Sequence, residues 1–129
     1  MLNLAVRAPL AVALGAIVGA LGRYYISREL AGSSFPWGTF VVNITGCLLM
    51  GLLTGLAERL GVSSELRLLL LTGGLGAFTT FSTYSLEAVS LLKGGQLRAA
   101  GLYWLGSAVV GPVSLYLGLL LGQQISRAS

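Results

Sequence analysis

The chain has 129 residues, of which 55% are hydrophobic, 9% are charged and 19 are glycine, and its mean hydropathy is +0.86. Soluble domains carry roughly 25% charged residues, so there are too few charges here to cover a water-facing surface, and lipid must do the covering. With no His, no Asp, one Cys and four Glu, a His/Cys metal centre, a Ser-His-Asp triad and a paired-carboxylate hydrolase all lack their parts, and the chain is expected not to be an enzyme.

The net charge of +4 points to no nucleic-acid partner, because the eight basic residues are scattered singly between apolar runs and never form a patch. The charges sit at Arg7, Arg23, Arg28, Glu29, Glu58, Arg59, Glu65, Arg67, Glu87, Lys93, Arg98 and Arg127. Between them lie four long uncharged stretches, Ala8–Gly22, Leu30–Ala57, Leu68–Leu86 and Ala99–Ser126. A spanning helix needs about 20 mostly apolar residues.

The first stretch reaches that length if Arg7 and Arg23 snorkel towards the headgroups. A secretory signal peptide is the alternative for this segment. No small-residue cleavage site followed by a polar mature domain is present, however, and three more apolar spans come next, so residues 5–27 are read as a first membrane helix. The loop Arg28–Trp37, with Gly32-Ser33-Ser34 and Pro36, leads to a second span over 36–57. There Thr39, Asn43, Gly46, Met50 and Thr54 recur at three- and four-residue intervals and share one helical stripe. Asn43 within it fits either an interhelical hydrogen-bond clamp or a pore-lining donor.

After the loop Glu58–Arg67, the third span (67–92) contains Gly73-Gly74-Leu75-Gly76-Ala77-Phe78-Thr79-Thr80-Phe81-Ser82-Thr83-Tyr84. Glycine weakens a helix interior, and irregular backbone at membrane depth is tolerated only when buried or lining a cavity. A break near Gly76 is therefore expected, with carbonyls freed at mid-membrane. Converging carbonyls from two copies would suit a hard cation, an alkali ion in a structural role. The loop Lys93–Arg98, with Gly94-Gly95, ends at a fourth span over 99–124. These spans make a single four-helix transmembrane domain of residues 1–129 with no room for a second domain. Lone Cys47 reads as a small packing residue.

Glycines four apart, at Gly15 and Gly19, Gly51 and Gly55, and Gly118 and Gly122, support a compact bundle without assigning a contact. Arg7, Arg59, Arg67 and Arg127 fall on one side of the membrane and Arg23, Arg28, Lys93 and Arg98 on the other, four against four. With no bias to set orientation, both insertions are expected, and oppositely inserted copies can pair as an antiparallel homodimer. The fold class is accordingly an all-α membrane protein of four transmembrane helices, the third broken near its middle, in a dual-topology dimer.

Along the whole chain the sequence resembles the CrcB/Fluc family of fluoride channels. The resemblance is carried by Gly19-Ala20-Leu21-Gly22-Arg23-Tyr24, by Gly38 through Gly46, and most specifically by Gly73 through Glu87 with its Thr79-Thr80-Phe81-Ser82-Thr83 core. It implies a dual-topology homodimer in the inner membrane, with two fluoride pathways and a central sodium ion. It further implies that Asn43 is an amide donor to fluoride, that Phe81 and Tyr84 form an aromatic box, and that the carbonyls of Gly76 and Thr79 hold sodium. Arg23 falls on a basic residue near the pore entrance. Thr80, Thr83 and Glu87, on one helix face, match a polar track, which Ser82 and Thr39 adjoin and to which Tyr103 and Ser107 of the fourth span are neighbours. The family's second aromatic position is usually Phe and here is Tyr84, which leaves both a ring edge and a phenol hydroxyl open to the anion.

The chemistry fits that resemblance, since fluoride's tightly held water must be replaced by closely spaced donors. Amide and hydroxyl groups supply them, and an aromatic ring presents a positive edge. The expected function is passive export of fluoride from the cytoplasm, relieving its toxicity, with no organic cofactor. A small dual-topology multidrug exporter is the competing class. It needs an ionisable residue within the membrane, for which Glu87, towards the end of the third span, is the only candidate.

Overall fold

The computed structural model describes residues 4–128, and every regular element among them is helical. Helix α1 (Leu4–Glu29) is followed by α2 (Trp37–Leu60) and, in the loop, the short α3 (Ser64–Arg67), after which the third span is assembled from a π-helical stretch Leu68–Leu75, α4 (Gly76–Phe78) and α5 (Phe81–Lys93). Helix α6 (Leu97–Ala128) completes the chain. Among the described residues three helices are long and apolar enough to cross a membrane, over Ala5–Glu29, Trp37–Glu58 and Leu97–Ile125. The third span falls outside that set because it is divided into pieces.

The turns follow from local chemistry. Helix α2 stops at Gly61, whose φ of +62° is a left-handed conformation that glycine adopts without steric cost. Ser63 then caps α3 by accepting the Leu66 N–H at 3.3 Å. In that first turn the Glu65 carboxyl is held below its ordinary range by its own backbone N–H and by the Ser64 hydroxyl. Pro112 lies inside α6, which continues past it.

Packing runs in two pairs, α2 along α6 and α1 along the π-helical stretch, and the spaced glycines mark both seams. A Cβ at Gly51 would fall on the Leu115 carbonyl oxygen, and one at Gly118 on that of Leu48. Gly15 and Gly19 admit the Leu69 and Gly74 carbonyls in the same way, so backbones meet where side chains would hold them apart. Beyond a small core of Tyr84, Ala88, Leu91, Ala100 and Tyr103, much apolar surface faces outward. Val18 and Leu102 are each 72% exposed, as suits side chains solvated by lipid.

Candidate functional site

The expected break exists, but it lies at Thr79–Thr80 and not at Gly76. Gly76 is helical (φ −63°, ψ −37°), whereas Thr79 (φ −80°, ψ 156°) and Thr80 (φ −148°, ψ 117°) are extended. The physical reason is capping. The Thr79 N–H and hydroxyl both donate to the Leu75 carbonyl, each at 3.1 Å, and end the first half. The Thr80 hydroxyl accepts the Thr83 N–H at 3.2 Å and starts the second half as its N-cap. Gly73 and Gly74 serve close packing instead: a Cβ on Gly73 would strike the Val12 carbonyl, and the Gly74 backbone meets both Gly15 and Gly19.

Asn43 bridges the break. Its Oδ1 accepts the Thr80 N–H at 2.8 Å and its Nδ2 donates to the Thr80 carbonyl at 3.0 Å, so the amide replaces the helical partners that an extended residue lacks. Its second N–H has no partner among the described residues. Gly46, one turn on, lets α2 approach closely enough for this, since a Cβ there would overlap the Thr79 methyl.

From Thr80 a polar row runs along α5. The Thr80 hydroxyl donates to Thr83 Oγ1 at 3.0 Å and lies 3.4 Å from Ser82 Oγ. Glu87 stands further along, its Oε1 accepting from Thr39 at 2.9 Å and its Oε2 from Tyr103 at 2.6 Å. Thr39 is 4% exposed and Tyr103 fully buried. Three other hydroxyls are spent on their own helices: Thr45 donates to Val41, Ser85 to Phe81 and Ser90 to Leu86. That difference separates the row from hydroxyls that only face lipid. Donors left over include the second N–H of Asn43, the hydroxyl of Thr83 and the hydroxyl of Ser107, whose buried oxygen has no partner among the described residues.

Two clefts meet at Thr80. One of about 520 Å³ is lined by Arg23, Tyr24, Ser27, Arg28, Thr39, Thr80, Thr83 and Glu87. The other, of about 280 Å³, is lined by Asn43, Gly46, Cys47, Met50, Thr79, Thr80, Phe81 and Leu115. Of the α2 stripe, Thr39, Asn43, Gly46 and Met50 line these clefts beside the third span, and Thr54 lines neither. Phe81 stands 79% exposed at the edge of the second cleft, its ring 5.6 Å from that of Tyr84. Tyr84 is buried, lines neither cleft, and its hydroxyl donates to the Trp104 carbonyl at 3.0 Å. Ser107 lines neither cleft. Among the described residues, Arg23 meets no carboxylate within ion-pair distance. Sequence reasoning missed the Trp104 carbonyl and Phe35, which packs on Tyr103 with ring centroids 5.5 Å apart. A main-chain acceptor leaves no sequence signal, and Phe35 sits in a loop without periodicity.

Residues 10–119 match the family described as CrcB-like protein, Camphor Resistance (CrcB). The chain belongs to the CrcB family. Among its relatives, a protein of Trichormus variabilis named "Fluoride-specific ion channel FluC" is 52% identical over 92% of this chain and 90% of its own length. Proteins of the same name from a Synechococcus species and from Agrobacterium fabrum are 46% and 47% identical, over 95% and 97% of this chain and 98% and 99% of their own lengths. These CrcB relatives are named as channels and not as enzymes. The interrupted third span, the Asn43 bridge and the polar row all lie inside the matched residues, so they belong to the CrcB part of the chain.

Proposed function

We propose that the protein is a passive, fluoride-selective channel of the inner membrane that lets fluoride leave the cytoplasm and relieves its toxicity. The observation that carries this reading is the chain of uncharged donors at the break, joining the Arg23 cleft to the Asn43 cleft through Thr80. High identity to relatives named as fluoride-specific channels supports the same conclusion. Uncharged donors strip fluoride's water without holding the ion too tightly to leave, and unpaired Arg23 draws anions to the wide end. Thr39, Asn43, Thr80, Thr83 and Glu87 line the path and Phe81 presents its ring at the edge, with Ser82, Tyr84, Tyr103 and Ser107 standing behind these residues as their neighbours. A membrane potential, inside negative, drives anion exit with about 2.3 kcal/mol per charge per 100 mV.

The working unit is a homodimer of oppositely inserted copies, consistent with the balanced charges and with Phe81 left bare in a single copy. A structural sodium ion fits the break. No backbone N–H of Thr80, Phe81 or Ser82 returns to the carbonyls of Gly76, Ala77 or Phe78, and the Thr83 N–H that would reach the Thr79 carbonyl goes to the Thr80 hydroxyl. Carbonyl oxygens without donors suit a hard cation, so Gly76 and Thr79 would hold it, and it would fix the backbone and offset carbonyl repulsion between copies.

Expression in a bacterium stripped of its own fluoride export tests the function. Growth should be rescued in millimolar-range fluoride, and rescue should fail when Asn43 is replaced by Leu. Membrane-inserted protein that gives no rescue would contradict the proposal.

A further inference from the structure

The loop between α1 and α2 is exposed from Ala31 to Ser34, yet Phe35 turns inward. Its backbone is pinned: the Ser33 hydroxyl donates to the Phe35 carbonyl at 2.6 Å, and the Trp37 N–H donates to the same oxygen at 2.8 Å. Its ring lies 4.6 Å from that of Trp37 and 6.1 Å from that of Phe40. It also meets the Tyr103 ring edge-on, at 5.5 Å and 82°. Tyr103 thus packs against two rings, Phe35 at 5.5 Å and Tyr84 at 5.1 Å. The same Tyr103 presents its hydroxyl to Glu87 at 2.6 Å.

Beneath the loop lies a third cavity, of about 400 Å³, whose lining includes Phe35, Trp37, Thr39, Glu87 and Gln96. It shares Ser27, Thr39 and Glu87 with the Arg23 cleft. Glu87 therefore stands between two open spaces, restrained by one bond from Thr39 and one from Tyr103. It is also the only carboxylate lining the anion-attracting cleft. A carboxylate free to swing towards Arg23 and Thr83 would repel an entering anion.

We infer that Phe35 is a positioning residue for fluoride passage: it fixes the Tyr103 ring, and through the Tyr103 hydroxyl the Glu87 carboxylate, so that the negative charge stays out of the anion's way. This rests on the channel reading above. Phe35 touches no ion, and its effect travels through Tyr103.

The test is a double-mutant cycle on the purified full chain in liposomes, with fluoride efflux as the readout and thermal unfolding confirming a folded protein. An edge-to-face aromatic pair is worth enough that Phe35→Leu should lower efflux by about threefold or more, while Phe35→Tyr, which keeps a ring, should stay within about twofold of the parent. Tyr103→Phe cuts the link to Glu87, so adding Phe35→Leu to it should cause no further loss. Should Phe35→Leu not fold, Phe35→Met takes its place in the same cycle. Full efflux from Phe35→Leu, no rescue by Phe35→Tyr, or independent, multiplying losses in the double variant would overturn the inference. Parent efflux separates the two claims: its absence removes the channel reading, whereas its presence with multiplying losses removes only the role of Phe35.

Discussion

Asn43 grips Thr80 from both sides, its amide oxygen taking the Thr80 N–H at 2.8 Å and its amide nitrogen donating to the Thr80 carbonyl at 3.0 Å. One side chain on α2 thus repairs the backbone of an interrupted helix and still has a spare N–H to offer. Of the clamp and the pore donor, which the sequence leaves as alternatives, the bonds to Thr80 form the clamp, and the spare N–H leaves the amide able to serve the proposed pore as well.

Asn43→Leu should consequently damage stability and conduction together. Two main-chain groups of Thr80 would be left unpaired away from water, at a cost of about 1–3 kcal/mol each. Thermal unfolding in detergent and fluoride efflux check this side by side. Loss of efflux with unchanged unfolding would mean that the bridge to Thr80 contributes little and that Asn43 acts on the ion alone.

Tyr84→Phe should leave efflux within about twofold of the parent and lower stability by about 1 kcal/mol, the worth of one neutral hydrogen bond. The hydroxyl already serves the Trp104 carbonyl at 3.0 Å, so in the proposed pathway only the ring edge would be left for an anion. A fall in efflux beyond tenfold without a change in unfolding would make the phenol hydroxyl a ligand after all.

Phe81→Ile should behave in the opposite way. The ring is 79% exposed in one copy, so little packing within the chain is lost, while an aliphatic chain has no quadrupole to face an anion. Efflux should fall sharply with the proposed homodimer retained on size exclusion. Normal conduction by the intact dimer would remove Phe81 from the pathway.

The glycine seams give a prediction independent of the ion. Gly51→Ala should destabilise the fold by about 1–3 kcal/mol, because the new methyl lands on the Leu115 carbonyl and α2 must move off α6. Gly101→Ala is the control, since a Cβ there meets nothing within 4 Å. Equal unfolding temperatures for the two variants would contradict the close α2–α6 contact.

What the sequence showed and what it hid divide along physical lines. Three long apolar helices were legible because charge is excluded from hydrocarbon, and the polar stripe of α2 was legible because its spacing matches the helix. The break lies three residues beyond Gly76 because side-chain capping, and not glycine content, decides where the helix ends. Gly73 and Gly74 make room for α1, and it is the Thr79 and Thr80 hydroxyls that end one helix and begin the next. The anchoring of Tyr84 was hidden because its acceptor is a main-chain carbonyl. Phe35 was hidden because a single loop aromatic carries no pattern, and only folding brings it to Tyr103.

Fluoride efflux from liposomes containing only this protein tests the central claim most directly. The vesicles are loaded with fluoride, held at a potential set by potassium and an ionophore, and given no proton gradient. A fluoride electrode should register rapid release with the protein and none from empty vesicles, while chloride loaded in parallel stays inside. Folded protein that releases no fluoride, or releases it only when a proton gradient is imposed, would contradict the account.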